Sequence, residues 1–229
     1  IWNPEKDALI PVKYSAATLK EKEKNKKALA KEAGFPFDPA VPVVGMISRL
    51  TSQKGFDLVA AAIDDLLKLK IQLVILGTGD PVYHKQLEKL AKAHPKQVAL
   101  FLKFDDTLAH LIEAGSDMFL MPSLYEPCGL NQMYSLKYGT IPIVRKTGGL
   151  ADTIIDADAD PNNGNGFVFA EYKAKAMVDA VRRAVAAFRD EKGWQKLIKR
   201  CMKQDFSWQL AADKYIRLYL KLETAKKKK

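Results

Sequence analysis

Residues 41–55 read Val-Pro-Val-Val-Gly-Met-Ile-Ser-Arg-Leu-Thr-Ser-Gln-Lys-Gly, and their passage from apolar run to polar turn decides the fold. The run at 41–47 is rich in β-branched residues and bounded by Pro39 and Pro42, which predicts a buried strand. After the turn at 48–55, Phe56, Val59, Ala60, Ile63, Leu66 and Leu67 recur at helical spacing and form one apolar face. Outward from this unit the pattern repeats. Strand-sized runs stand at 71–76, 98–102, 118–121, 141–144 and 166–169, with helical patterns at 83–91, 108–114, 130–138 and 172–189. Strands separated by helices pair in parallel through right-handed crossovers, so the fold class is α/β, a doubly wound parallel sheet.

Two flanks fall outside this pattern. Residues 1–40 are polar and read as a linker segment with a lysine-rich helix at 19–33 stopped by Gly34; residues 41–190 form the Rossmann-like domain. Residues 191–229 read as C-terminal helices followed by a lysine run at 226–229 expected to be disordered. Within them Leu210, Ala211, Tyr215, Leu218 and Leu222 form a stripe that packs on the sheet or on something beyond this chain. The loop at 156–166, carrying Pro161, Asn162, Asn163 and Gly164, is expected to be an exposed turn.

Composition excludes several classes. Hydrophobic residues make up 48% and charged residues 28% of 229, the balance of a globular protein in water. No apolar run nears the roughly 20 residues that span a bilayer, so no membrane partner is expected. The chain opens Ile-Trp-Asn-Pro, without a signal-peptide pattern or a Met, and is expected to start inside a longer one. Cys128 and Cys201 are too few for a disulfide framework or a zinc site and suggest a reducing compartment. A net charge of +10 invites nucleic acid, but the lysines concentrate at 20–31 and 192–229. The first cluster alternates with Glu21, Glu23 and Glu32, the pattern of solvated helix faces, and no nucleic-acid partner is expected.

In such a sheet, ligands sit where strands run into loops that open helices. The loop 48–55 places Arg49 and Lys54 there, a guanidinium fork and a point charge suited to phosphate oxygens; an ordinary polar turn with surface cations is the alternative. The run Glu126-Pro127-Cys128-Gly129-Leu130-Asn131 makes a tight entry into a helix and exposes the amides of Gly129, Leu130 and Asn131 to an anion. It leaves Glu126 at the mouth for sugar hydroxyls, or else as a helix cap. With no His nearby, Cys128 is expected to fill a small, tight position rather than to act as a nucleophile. Lys146-Thr147-Gly148-Gly149-Leu150 allows close approach of a ligand or of another backbone. Phe104, beside Asp105 and Asp106, is either a base-stacking ring or, the more frequent case for a lone Phe, a core aromatic. Gly77-Thr78-Gly79 lacks the rest of the dinucleotide fingerprint and reads as a turn.

Three stretches taken together resemble a known family: 45–55, then Pro122-Ser123 with 126–130, then Tyr138-Gly139 with 145–150. They are similar to the C-domain of bacterial glycogen synthases and plant starch synthases, and Trp2-Asn3-Pro4 resembles the end of the linker entering it. The likeness covers essentially the whole chain. It implies the C-terminal half of a GT-B enzyme, in which two Rossmann-like domains face a cleft. It implies retaining transfer of glucose from ADP-glucose, or UDP-glucose in some members, to the non-reducing end of an α-1,4-glucan. By this resemblance Arg49 and Lys54 hold the diphosphate, Glu126 meets glucose hydroxyls, and the amides from Cys128 to Asn131 meet sugar or phosphate, with Thr147, Gly148 and Gly149 beside them. Phe104 stands where the family commonly has a base-stacking Tyr, Lys103 where Gly is frequent, and Asn131 where many bacterial members carry Thr. No cofactor or metal is implied, since cations and amides stabilise the departing diphosphate. The family's N-terminal domain, with its catalytic His, its own Lys-x-Gly-Gly-Leu loop and its glucan groove, is not in this sequence. The fragment alone is therefore expected to be inactive, the last helix to cross to that domain, and the compartment to be bacterial cytoplasm or plastid stroma. Other GT-B transferases commonly carry a second Glu eight positions on, where this chain has Tyr134. A non-catalytic carbohydrate or protein module, and a nicotinamide-binding domain, are the readings from other classes.

Overall fold

The computed structural model describes residues 2–226. In chain order the elements are α1 (Lys22–Glu32), β1 (Val43–Ile47), α2 (Phe56–Ala61), α3 (Ile63–Leu67), β2 (Gln72–Leu76), α4 (Pro81–Ala93), β3 (Val98–Phe101) and α5 (Asp106–Gly115). Then follow β4 (Met118–Met121), α6 (Asn131–Tyr138), β5 (Ile141–Arg145), α7 (Gly148–Thr153), β6 (Phe167–Phe169), α8 (Ala174–Phe188), α9 (Glu191–Met202) and α10 (Trp208–Lys226). The six strands form one parallel sheet in the order β3-β2-β1-β4-β5-β6. All six expected strands are present. The first begins at Val43 rather than 41, because Pro42 has no amide to donate and Val41 closes a turn on Asp38. The single helix expected over 56–67 is two, broken at Ala62 (φ −115°, ψ 12°).

Successive strand residues feed opposite faces of the sheet. Val43, Val74, Leu76 and Phe119 pack with Leu29, Ala30, Leu108 and Ile112 under α1 and α5. Val44, Met46, Leu73 and Ile75 pack on the other face with the cluster that includes Phe56, Leu66 and Val181. The lysine-rich helix thus belongs to the core. Its expected solvated pattern fails at Lys22 and Lys26, which are buried. The Lys22 ammonium donates to the Ala114 carbonyl (2.8 Å) and Thr140 Oγ1 (2.9 Å), and Lys26 pairs with Asp117 at 2.8 Å. These acceptors come from segments that only the folded chain brings to α1. At the other end α10 exposes Trp208, Tyr215, Leu218 and Leu222. The lysine run expected to be disordered lies outside the described residues beyond position 226. No helix among the described residues is long and apolar enough to cross a membrane.

Candidate active site

The chain leaves β1 toward β2 and leaves β4 toward β5, on opposite sides, which opens a crevice where these two neighbours end. The loops 48–55 and 122–130 wall it and are bonded together. The Leu124 amide donates to the Gln53 carbonyl (2.8 Å), and Gln53 Nε2 donates to the Tyr125 carbonyl (2.8 Å). Gly55 turns the first loop at φ 75°, and a Cβ there would stand 2.1 Å from the Pro122 carbonyl oxygen, so only glycine permits the approach. Asn131 Nδ2 donates to the Ile47 carbonyl (2.9 Å), tying the first turn of α6 to the end of β1.

Between these walls, Lys54 Nζ lies 2.6 Å from Glu126 Oε2, which also accepts from Ser123 Oγ at 3.1 Å. Glu126 is buried and is no cap: the N-cap of α6 is Leu130, with no side-chain cap bond. Arg49 is exposed, and its guanidinium makes no hydrogen bond or ion pair among the described residues. The amides of Gly129, Leu130 and Asn131 likewise donate to no group among the described residues. Arg49, Lys54, Glu126 and residues 129–131 all line one cavity of about 160 Å³. A second cavity of about 610 Å³ shares Arg49, Leu130 and Asn131 with it and extends to Phe104, Glu113 and Tyr134. Together they offer cations and amides for an anion, a carboxylate for hydroxyls and a flat ring beside a larger volume.

Two expectations need correction. Phe104 is 91% exposed, so it is no core aromatic: β3 ends at Phe101, and the ring lies past the sheet where nothing covers it. Cys128 does not fill a tight position but is exposed. The turn packs through its backbone instead. The Cys128 carbonyl accepts from Gln132 Nε2 (3.1 Å) and faces Gly149, where a Cβ would stand 1.9 Å away. Gly149 also donates its amide to the Glu126 carbonyl (3.0 Å). Gly148 and Gly149 admit the close approach of another backbone, at the Glu126 and Cys128 carbonyls; Thr147, Gly148 and Gly149 are not among the residues lining either cavity. The 77–79 turn, read as such, bridges to the first loop through Leu50 and Gly79.

The structural roles of several residues escaped sequence reasoning. The Arg145 guanidinium donates to the carbonyls of Ser123 (2.8 Å), Leu124 and Ala170 (3.3 Å), clamping the second loop; as a strand-end cation it carried no signal of this. Trp2 is stacked between His110 (centroids 3.7 Å apart) and Tyr134 (4.5 Å) and walls the larger cavity. Behind it, His110 Nδ1 lies 2.7 Å from Asp7 Oδ2, which also accepts from Tyr138. Beside Phe104, the Lys103 ammonium and the Leu108 amide hold the Asp105 carboxyl below the usual carboxylate range. Burial pushes the Glu113 carboxyl up to about 8 and the Lys22 ammonium down to about 7.

Comparison with known proteins places this geometry. The family described as glycosyl transferases group 1 matches residues 21–203. The chain is 50% identical over 220 residues to a glycogen synthase of Koribacter versatilis (strain Ellin345), covering 96% of this chain and 45% of that protein. It is 48% identical over 221 residues to a glycogen synthase of Thermosipho africanus (strain TCF52B), covering 96% and 46%. The chain thus spans about half the length of the curated relatives it matches. Among solved structures it is similar to the catalytic domain of starch synthase IV from Arabidopsis thaliana bound to ADP and acarbose, with a TM-score of 0.90 and 40% identity over 96% of this chain and 46% of that one. A sucrose-phosphate synthase from Thermosynechococcus elongatus shares the fold, with a TM-score of 0.64 and 23% identity over 87% of this chain and 49% of that one.

Proposed function

Since the chain belongs to the group 1 glycosyl transferases, we propose that it is the nucleotide-sugar half of a retaining α-1,4-glucan synthase. Its donor is ADP-glucose, and its product is a glycogen or starch chain longer by one glucose at the non-reducing end. The observation that carries this reading is the convergence of Arg49, Lys54, Glu126 and the amides of 129–131 on one cavity. Breaking the bond between glucose and diphosphate builds negative charge on the leaving oxygens. Fixed cations and helix-end amides stabilise that charge more than the ground state, which is what accelerates transfer. Arg49 and Lys54 bind the diphosphate, and Glu126 accepts from glucose hydroxyls. The 128–131 turn meets sugar or phosphate through its amides, and Phe104 stacks on the base. Thr147, Gly148 and Gly149 act through the turn they support. The ADP named for starch synthase IV favours adenine over uracil.

The partner in this reading is a separate N-terminal domain that holds the glucan, and α10 is the element that reaches it. The division at residues 40 and 190, and a location in bacterial cytoplasm or plastid stroma, belong to the same proposal. Calorimetry with ADP, UDP and AMP side by side tests it: ADP binds more tightly than AMP by at least about tenfold, the value of one charge-assisted contact. Equal binding of ADP and AMP would overturn the cation roles. Purified chain incorporates no labelled glucose into glycogen; incorporation would overturn the division of labour.

A further inference from the structure

Glu113 lies on α5, 1% exposed, where the function proposed above gives it nothing to do. Its Oε2 is 2.8 Å from Ser135 Oγ, and the same Ser135 Oγ is 2.8 Å from the Asn131 carbonyl oxygen. Its Oε1 is buried with no hydrogen-bond partner, and the residue lines the 610 Å³ cavity with Arg49, Asn131 and Tyr134. A hydroxyl carries one proton, and a carbonyl can only accept. If the carboxyl were ionised, Ser135 would hold one proton for two acceptors, and a bare anionic oxygen would lie buried and unpaired. If the carboxyl is neutral, every proton has a place. Glu113 donates to Ser135 Oγ, Ser135 donates to the Asn131 carbonyl, and Asn131 Nδ2 holds the end of β1.

We propose that Glu113 is a positioning residue of the nucleotide site: as a neutral acid it sets the first turn of α6 through Ser135, and it adds no further negative charge to a cavity that Asp105 and Asp106 also line. This inference rests on the nucleotide reading and deepens it. Burial outweighs the two groups that favour the ionised form, the Ser135 hydroxyl and the Lys22 ammonium, and raises this carboxyl. Lys22 of α1 donates to the Glu113 backbone carbonyl (3.3 Å), and burial brings its own ammonium down to about 7. Tyr14 from the N-terminal segment and Tyr138 from α6 are phenols that burial pushes up, so both stay neutral. His110 and Asp106 share its helix, and Arg49 stands on the cavity it lines. Deprotonation of Glu113 breaks the hydroxyl chain under the 129–131 amides and places a negative charge on the wall of a cavity that receives a diphosphate. The two effects act in the same direction.

The whole chain is titrated calorimetrically with ADP from about pH 6.5 to 9.5, across the value of about 8 to which burial raises this carboxyl. Wild type is expected to lose at least about fivefold in affinity over that range and, near its midpoint, to take up a fraction of a proton on binding, as reciprocal linkage requires. Glu113→Gln, which keeps a donor toward Ser135, is expected to bind within about threefold of wild type at neutral pH. It should show a flatter profile and no proton uptake at the midpoint. The same profile and uptake in both proteins would overturn the inference while leaving the nucleotide site intact. Absence of ADP binding by wild type at every pH would sink the underlying reading instead. A readout in wild type alone guards against a variant that fails to fold. Its infrared carboxylic-acid carbonyl band should persist at pH 7 and disappear by about 9.5; no such band at pH 7 would equally overturn the proposal.

Discussion

Lys54 and Glu126 stand 72 positions apart in the chain and meet at 2.6 Å, each largely withdrawn from water. The pair is the point where the loop after β1 and the loop after β4 become one site. It also sets a competition, since the cation proposed for the diphosphate is already engaged by the carboxylate proposed for glucose.

That competition separates the two residues. Lys54→Ala should weaken ADP at least about tenfold and change AMP by less than about threefold, because the lost partner is the second phosphate. Glu126→Gln frees the ammonium, so ADP should bind about threefold more tightly, while any advantage of ADP-glucose over ADP disappears. Calorimetry on the two variants decides it. Equal weakening of ADP by both would mean that the carboxylate only aims the lysine.

Phe104 tests the base. Its ring is exposed and borders the larger cavity, with Lys103 and Asp105 paired beside it at 2.7 Å. Stacking on one base contributes about 1–3 kcal/mol, so Phe104→Ala should weaken ADP about fivefold or more and leave inorganic pyrophosphate unaffected. Phe104→Tyr, which keeps the ring, should bind ADP as wild type does. Loss of pyrophosphate binding in Phe104→Ala would point to damage of the loop rather than to a missing stack.

Much of the architecture was legible in the sequence because each strand run is closed by its own turn residues. Six runs gave six strands, and the loops singled out after β1 and β4 proved to be neighbours. What stayed hidden depends on contacts between distant segments. Lys22 and Lys26 sit in a lysine-rich helix that looks solvated, and only the fold supplies the carbonyls and Asp117 that bury them. Arg145 reads as one more cation until three carbonyls converge on it. The exposure of Phe104 depends on where β3 stops, and that of Cys128 on a turn that packs through its carbonyls.

The backbone contact behind that turn can be probed directly. At Gly149 a Cβ would stand 1.9 Å from the Cys128 carbonyl oxygen, and that oxygen belongs to backbone, which cannot swing aside as a side chain does. Gly149→Ala should therefore push the 126–130 turn away from α7 and cost about 2–4 kcal/mol, the range of overpacking with a broken hydrogen bond. Denaturant melts would read the loss, and ADP affinity should fall with it. A variant as stable as wild type with unchanged affinity would show that the turn does not depend on this contact.

The buried pair Lys22 and Glu113 predicts an unusual dependence of stability on pH. Glu113 titrates near 4.5 when unfolded and near 8 when folded, so between these values the native state holds a proton that the unfolded chain has released. Stability contributed by this group falls as pH rises through that window. Lys22 titrates near 10.5 unfolded and near 7 folded, so across its window the unfolded chain binds the extra proton and stability rises with pH. Each slope is at most about 1.4 kcal/mol per pH unit. The windows overlap between about 7 and 8, where the two slopes oppose each other. Chemical denaturation at a series of pH values should give a shallow minimum there, with stability recovering toward pH 6 and toward pH 9.5. Glu113→Gln should remove the acid-side fall, and Lys22→Met the alkaline-side rise. A maximum at pH 7–8 in wild type would mean that the two groups are charged and paired in the folded chain.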